Sequence, residues 1–272
     1  MLRATLIAAL MLNAVGVAMS EPAPKLQWII NGPALRYFAA DAFARRFFEG
    51  TQPLAIRRQG EALLLPDAWG AQEVRSFTSY RAIAAAFANG TIGSGVRAIL
   101  YDNEAWTFTP RDEQRQCVEF AQRAAQLVHS HGLLFIATPA VDLVRAYDPM
   151  FSGKRYDRFL QLGIIGGVAR FADIVDIQAQ GSERSVATYS AFVRAAAAQA
   201  RAANPRVRVF AGISTNPNGQ SVTADQILGA IRATSADVDG YWFNVPAPSP
   251  YCPRCNAFRP DLAVEVLRGL SE

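Results

Sequence analysis

The segment Tyr101-Asp102-Asn103-Glu104-Ala105-Trp106 carries the strongest chemical signal in the chain. Two carboxyl groups two positions apart at the end of a predicted strand share one side of it, so their ionisation is coupled. One can then hold a proton near neutral pH while the other stays ionised. We assign the general acid to Glu104 at the rim and the ionised partner to Asp102, which would raise the pKa of Glu104.

Further polar side chains fall at the ends of other predicted strands. In a parallel sheet buried on both faces, polar groups cost desolvation unless they line a cavity or a ligand site. The substrate-binding candidates are Trp106, Asp176, Gln178, Gln180, Asn216, Trp242 and Asn244. Amides hydrogen-bond hydroxyl groups and indole rings stack on sugar faces, so this set with two acids is typical of sugar hydrolysis. The alternative is that strand-end Asp and Asn residues cap the following loops.

The two histidines of the chain, His129 and His131, are predicted to lie away from these acids. They fall at the end of a predicted helix, where a positive charge complements the helix dipole. A Ser-His-Asp triad or a histidine metal site would need imidazole beside the acids. No Gly-x-Gly-x-x-Gly follows the first predicted strand. We therefore expect neither a metal nor a cofactor.

From residue 96 onward the chain repeats an apolar, β-branched run followed by a turn and a long amphipathic segment, as in βα modules. The predicted strands are Val96–Glu104, Leu133–Ala140, Ala172–Gln180, Val207–Ser214 and Asp239–Pro246. The predicted helices are Asp112–His131, Tyr156–Arg170, Val186–Ala203, Thr223–Ala233 and Pro260–Leu270. Alternation along the strands puts the polar candidates on the even-numbered face.

The N-terminal third contributes the remaining elements of the predicted fold. Strands are predicted at Leu26–Asn31, Pro53–Arg57 and Ala62–Pro66, with helices at Ala34–Phe48 and Tyr80–Ala88. Eight strands in all favour a single-domain (β/α)8 TIM barrel over residues 21–272, with its site at the C-terminal mouth. The alternative is an open doubly wound α/β sheet.

Asp102-Asn103-Glu104 on the fourth strand and Trp242 on the eighth resemble the chitinase-type barrels of glycoside hydrolase family 18. Those barrels end the fourth strand in Asp-x-Asp-x-Glu and carry a Trp on the eighth strand beneath the sugar. The resemblance implies that Glu104 is the acid/base and that Asp102 positions an N-acetyl group acting as the nucleophile. Leu100 stands where that family has its inner Asp, so the proton relay departs from the family pattern.

Three functions follow from these residues. The first is a secreted glycoside hydrolase acting on an oligo- or polysaccharide, with a variant in which Asp142 or Asp176 is a direct carboxylate nucleophile. The second is a non-catalytic carbohydrate-binding barrel or degenerate hydrolase, motivated by Leu100. The third is a lyase or isomerase with a metal held by Asp102, Glu104 and Asp176.

Residues 1–20 have the pattern of a secretory signal peptide. Arg3 precedes an apolar run from Leu6 to Leu12, and Ala18 and Ser20 are small residues before a cut at Glu21. We predict a secreted or periplasmic protein without a membrane span after cleavage; a retained N-terminal anchor is the alternative. The net charge of +4 over 272 residues does not indicate a nucleic-acid binder.

The three cysteines indicate a structural role. Cys252-Pro253-Arg254-Cys255 lies in a Pro-rich loop, and an exported chain favours a local disulfide there. A thioredoxin-type redox motif, the alternative, would follow a strand and open a helix. A zinc site would need two further ligands, and Cys117 falls in a distant predicted helix.

Overall fold

The computed structural model describes residues 26–57, 64–250 and 252–272, which form a closed barrel of eight parallel strands. The strands lie in chain order around the barrel, and the last pairs with the first from Gln27↔Gly240 to Ile30↔Phe243. They are β1 (Gln27–Asn31), β2 (Leu54–Arg57), β3 (Gln72–Phe77), β4 (Val96–Tyr101), β5 (Leu134–Ala137), β6 (Ile174–Ile177), β7 (Arg208–Ser214) and β8 (Gly240–Asn244). The (β/α)8 barrel is confirmed, and the open doubly wound sheet is wrong.

Helices alternate with the strands and cover the outside of the barrel. They are α1 (Gly32–Ala40), α2 (Ala42–Phe47), α3 (Tyr80–Ala88), α4 (Arg111–Arg115), α5 (Cys117–Ser130), α6 (Val144–Tyr147), α7 (Arg155–Gln161), α8 (Ile164–Ala169), α9 (Val186–Ala203), α10 (Ala224–Thr234) and α11 (Pro260–Gly269). The bounds of α3 and α9 match the predicted helices. Within the described ranges, no helix combines the length and the apolar character needed to cross a membrane.

Three of the predicted helices are each divided into two. Asp41 separates α1 from α2 because its side chain caps α2, accepting hydrogen bonds from the amides of Phe43 and Ala44 at 2.9 and 2.8 Å. Gly163, with φ of +65°, separates α7 from α8. Gln116 leaves the helical region between α4 and α5. Local side-chain bonding and backbone conformation therefore interrupt a continuous amphipathic pattern.

The third strand lies at Gln72–Phe77, so its predicted position at Ala62–Pro66 is wrong. Residues 64–66 are irregular, and residues 62 and 63 lie outside the described part of the chain. On β3 the carboxylate of Glu73 pairs with Arg57 at 2.8 Å and with Arg75 at 2.9 Å. These charges compensate one another in the structure, whereas a search for apolar runs passes over a strand that carries them.

The lower part of the barrel interior is filled by apolar side chains. The fully or almost fully buried residues of this inner cluster are Ile29, Leu54, Val74, Ala98, Leu100, Ile136, Ile174 and Phe210. Ile99 and Tyr101, on the opposite face of β4, pack in the outer core between the sheet and the helices. The even-numbered face of β4 therefore points inward, and open space is left at the C-terminal mouth.

Two of the polar segments that were predicted as strand ends belong to loops in the structure. β4 ends at Tyr101 and β6 at Ile177, which is earlier than the predicted strands Val96–Glu104 and Ala172–Gln180. Ala179 has helical dihedrals, with φ of −97° and ψ of −6°, so strand alternation stops before Gln180. The mouth is thus built by the βα loops.

Candidate active site

The loop after β4 places two acids at the barrel mouth. The side chain of the residue between them points the other way and is held there by hydrogen bonds. Asn103 is buried, and its amide donates to the hydroxyl of Tyr101 at 2.8 Å and to the carbonyl of Glu113 at 3.0 Å. The backbone amide of Asp102 still donates to the carbonyl of Phe77 on β3. These contacts fix the loop that carries Asp102 and Glu104.

Asp102 accepts hydrogen bonds from neutral groups of the next two strands. The hydroxyl of Thr138 lies at 3.1 Å and the Nε2 of Gln178 at 2.9 Å from its Oδ1. Burial raises the pKa of Asp102 to about 7, the two hydrogen bonds oppose that rise, and the charge of Asp142 adds to it. Asp102 therefore changes its charge near neutral pH.

The same surroundings favour the protonated form of Glu104. Burial raises the pKa of Glu104 well above its ordinary value, the charges of Asp102 and Asp142 raise it further, and a hydrogen bond from Gln178 opposes them. A carboxyl group that keeps its proton near neutral pH can protonate a leaving oxygen.

Glu104 lines an open cavity of about 430 Å³ at the mouth. Its other lining residues come from the loops after β5, β6, β7 and β8: Ala140, Val141, Asp142, Arg145, Arg155, Tyr156, Gln178, Gln180, Gly181, Asn218, Gln220 and Arg254. The carboxylate of Asp142 accepts the backbone amide of Ala105 at 2.9 Å, which ties the β5 loop to the β4 loop. A cavity of this size is suited to a small molecule or to part of a longer ligand.

Gln178 and Gln180 both line this cavity, and their predicted contacts with substrate hydroxyls stay predictions. The Nε2 of Gln178 also donates to the carbonyl of Thr138 at 2.9 Å. The buried Oε1 of Gln180 has no hydrogen-bond partner among the described residues. It occupies the space above Gly212, where a Cβ would lie only 2.5 Å away. The absence of a side chain at Gly212 therefore makes room for the buried amide oxygen of Gln180.

Asp176 and Trp242 lie outside this cavity. Asp176 is fully buried, and neither carboxyl oxygen has a hydrogen-bond partner in the described part of the chain. Burial, and then the charge of Asp102, raise the pKa of Asp176 well above its ordinary value. Trp242 is partly buried against the inner apolar cluster. The predicted substrate contacts of these two residues and of Asn244, at the end of β8, stay predictions.

Trp106 and Asn216 make contacts within the protein. The indole nitrogen of Trp106 donates to the Thr109 hydroxyl at 2.7 Å, and its ring meets Phe108 edge-on. The amide of Asn216 donates to Asn256 Oδ1 and to the Ala257 carbonyl, both at 3.1 Å. Neither residue lines the cavity of Glu104. The roles predicted for them as ligands of the substrate stay untested, and their observed contacts position loops.

The histidines lie at the opposite end of the barrel, as expected. His129 Nε2 is 2.8 Å from Asp173 Oδ2 at the start of the β6 region, and His131 stacks on Phe87. In the described ranges, no group of three or more His, Cys, Asp or Glu residues is arranged to hold a metal ion. Cys252 and Cys255 form a disulfide, and Cys117 is a buried free thiol.

Four cavity residues were not predicted from the sequence: Arg145, Arg155, Tyr156 and Arg254. All four belong to loops or to helix segments that follow the strands. Their side chains meet at the mouth only after the chain has closed into a barrel. The one available signal was that Arg254 lies between two cysteines of a short loop.

The fold and the loop-built cavity define the protein as a (β/α)8 barrel with a candidate site at the C-terminal mouth. No protein-family model matches the sequence, and no curated protein matches it at a significant level.

Solved structures match the fold at low sequence identity. A putative α-L-fucosidase from Bacteroides thetaiotaomicron VPI-5482 is 11% identical with a TM-score of 0.51, over 97% of this chain and 99% of that one. The carboxyl transferase domain of Rhizobium etli pyruvate carboxylase is 10% identical with a TM-score of 0.47, over 92% and 46% of the two chains. A family 18 chitinase from Pseudoalteromonas aurantia is 10% identical with a TM-score of 0.40, over 66% and 70%. At these identities the similarity shows the barrel fold alone.

Proposed function

We propose that this barrel is a glycoside hydrolase in which Glu104 is the general acid/base and Asp102 its partner carboxyl group. The observation that carries the proposal is a carboxyl group with a raised pKa that lines an open cavity at the barrel mouth. The charge of Asp102 helps to keep Glu104 protonated, and Gln178 bridges the two groups. Protonation of a glycosidic oxygen requires such an acid.

Asp142 is the residue we propose for the second carboxylate of the reaction. It lines the same cavity as Glu104, and its Oδ1 accepts the backbone amide of Ala105, which holds the side chain beside the β4 loop. Asp176, the other candidate from the sequence, is fully buried and does not line the cavity. A direct nucleophile or base must reach the sugar, so Asp142 fits this role and Asp176 does not.

The test is a polysaccharide panel that includes chitin, peptidoglycan and α-linked galactosaminoglycans. Wild type, Glu104→Gln, Asp142→Asn and Asp176→Asn are assayed for released reducing ends. We expect hydrolysis by wild type and Asp176→Asn and loss of activity in the other two variants, with unchanged circular dichroism. Full activity in Glu104→Gln would contradict the assignment of the acid.

A carbohydrate-binding barrel without catalysis is the second candidate, and Leu100 favours it. Leu100 is completely buried in the inner apolar cluster beneath the loop that carries the acids, so position 100 supplies no carboxyl group. Retention of the wild type on an insoluble glycan, with no cleavage on prolonged incubation, would support this function over hydrolysis.

Export is also part of the proposal. The predicted signal peptide at residues 1–20 lies outside the described part of the chain, and the Cys252–Cys255 disulfide is the feature that supports an oxidising compartment. Expression of the full chain in a bacterial host should give a periplasmic or secreted product whose first residue, by N-terminal sequencing, is Glu21. A product that retains Met1 would contradict this.

A further inference from the structure

Three arginines line the same cavity as Glu104, and we call Arg145, Arg155 and Arg254 the arginine rim. Arg145 lies on α6, Arg155 begins α7 and Arg254 lies in the loop after β8. All three are exposed to solvent. Three separate chain segments therefore bring guanidinium groups to the mouth of one cavity.

Within the described part of the chain, no ion pair neutralises the arginine rim, whereas eight other arginines are paired. Ion pairs within 4.0 Å hold Arg57, Arg75, Arg81, Arg123, Arg158, Arg194, Arg201 and Arg259 to Asp or Glu side chains. The three rim arginines form no ion pair and no side-chain hydrogen bond with another described residue. Three guanidinium groups therefore share the cavity with the carboxyl groups of Asp142 and Glu104, and the Oδ1 of Asp142 accepts the Ala105 amide. The rim thus presents positive charge to whatever enters the cavity.

Arg254 is held in place by its backbone, while its side chain has no ion pair or hydrogen bond with another residue that the structure describes. The Cys252–Cys255 disulfide closes the loop on both sides of it. The Arg254 carbonyl packs so closely on Gly219 that a Cβ there would lie 2.1 Å away. Asn216 secures the next residues of the loop through its two hydrogen bonds. A fixed loop that presents an unpaired guanidinium group lowers the entropy cost of binding an anion.

We propose that the arginine rim binds an anionic group of the substrate, so that the glycan is acidic and carries carboxylate or sulfate groups. This inference rests on the proposed function, since it concerns the cavity of Glu104. A guanidinium group binds carboxylate and similar oxyanions through two parallel hydrogen bonds. A cavity rimmed by positive charge also raises the local concentration of a polyanion. A neutral glycan would leave the three guanidinium groups with no ion-pair partner among the described residues.

The test measures binding of two matched pairs of polymers to the full chain carrying Glu104→Gln. Polygalacturonate is compared with its methyl ester for the carboxylate arm, and dextran sulfate with dextran for the sulfate arm. By affinity electrophoresis at low salt, we expect one acidic polymer to be bound roughly tenfold more tightly than its neutral partner. The arm in which this occurs identifies the anion.

Two triple variants separate the rim from net charge. The first variant combines Arg145→Gln, Arg155→Gln and Arg254→Gln. It should reduce the preference for the acidic polymer over its neutral partner to about twofold or less. Arg97→Gln, Arg123→Gln and Arg206→Gln change the net charge equally on exposed residues outside the cavity, and should keep the preference. Equal binding within both pairs, failure to bind either polyanion, or equal loss of preference in both variants would overturn the proposal.

Hydrolysis is measured in a separate assay, so the proposed hydrolase and the proposed anion binding by the arginine rim can fail independently. Glu104-dependent cleavage of neutral glycans without a charge preference would overturn the arginine rim and leave the hydrolase intact. If the wild type binds an acidic polymer through the arginine rim but never cleaves it, the hydrolase is overturned and the arginine rim is left intact.

Discussion

Carboxyl groups on or after two neighbouring strands of the barrel lie in opposite electrostatic surroundings. Glu73 on β3 lies between Arg57 and Arg75, at 2.8 and 2.9 Å, and these charges compensate one another in a partly buried position. Asp102 and Glu104 follow the next strand, and among the described residues their side-chain hydrogen-bond donors are neutral. Burial without a cation raises the pKa of Asp102 and of Glu104, whereas Glu73 lies between two cations. The first arrangement stabilises the fold, and the second provides a proton that can be transferred.

The largest expected difference between these regions is in activity. Glu104→Gln should lower kcat by about 100- to 10,000-fold, the usual contribution of a general acid. Glu73→Gln should leave kcat within about twofold and lower the free energy of unfolding by about 1–2 kcal/mol, since two guanidinium groups lose their partner. Steady-state kinetics and urea unfolding of both variants check this. A loss of activity in Glu73→Gln equal to that in Glu104→Gln would remove the distinction.

The next effect concerns the pH dependence of kcat. The charge of Asp102 raises the pKa of Glu104, so Asp102→Asn should lower that pKa. The alkaline limb of the pH–rate profile, where the acid loses its proton, should then move to lower pH, with a loss of about 10- to 100-fold at neutral pH. Thr138→Val is the matched control, because it removes one hydrogen bond to Asp102 and no charge. An unmoved alkaline limb in Asp102→Asn would contradict the coupling.

The smallest effect is on stability, at the buried carboxyl group of Asp176. The folded-state pKa of Asp176 is raised, so the folded protein binds this proton more tightly than the unfolded chain. Stability from this group is present below the unfolded pKa and is lost as pH rises through the folded pKa. Asp176→Asn should therefore exceed wild type in free energy of unfolding by about 1–3 kcal/mol at pH 8, and by less at pH 4. Urea unfolding at the two pH values measures this.

Asp237→Asn serves as the surface comparison for Asp176. Asp237 forms an exposed ion pair with Arg194, and such pairs contribute about 1 kcal/mol or less. The same pH dependence in both variants, or a less stable Asp176→Asn at pH 8, would show that Asp176 is not a strained buried acid.

Much of the fold could be predicted because its modules are regular. From Val96 onward each strand is an apolar run with a helix after it, and the predicted α9 has the observed bounds. The prediction failed at β3, where Glu73 and Arg75 interrupt the apolar pattern; Glu73 pairs with Arg57 on β2 and with Arg75 on its own strand. It also failed at the helix breaks, where a single capping residue such as Asp41 decides the outcome. Contacts between distant residues and single dihedral angles are not visible in local periodicity.

The candidate site divides in the same way. Strand alternation brings Asp102 and Gln178 to one face, and the structure joins them by a 2.9 Å hydrogen bond. The loop contacts of Asn216 with Asn256, forty residues along the chain, follow no local pattern. The arginine rim was missed for the same reason, because its members approach one another only across loops.

The central claim is that Glu104 keeps its proton in the free protein. Carbon-13 NMR of side-chain carboxyl groups, with the Glu104→Gln spectrum to assign the signal, measures its titration directly. We expect the Glu104 carboxyl group to titrate well above the ordinary value of about 4.3, and to shift downward in Asp102→Asn. A signal that titrates at or below about 4.3 would contradict the claim, since an ionised Glu104 could not act as the acid.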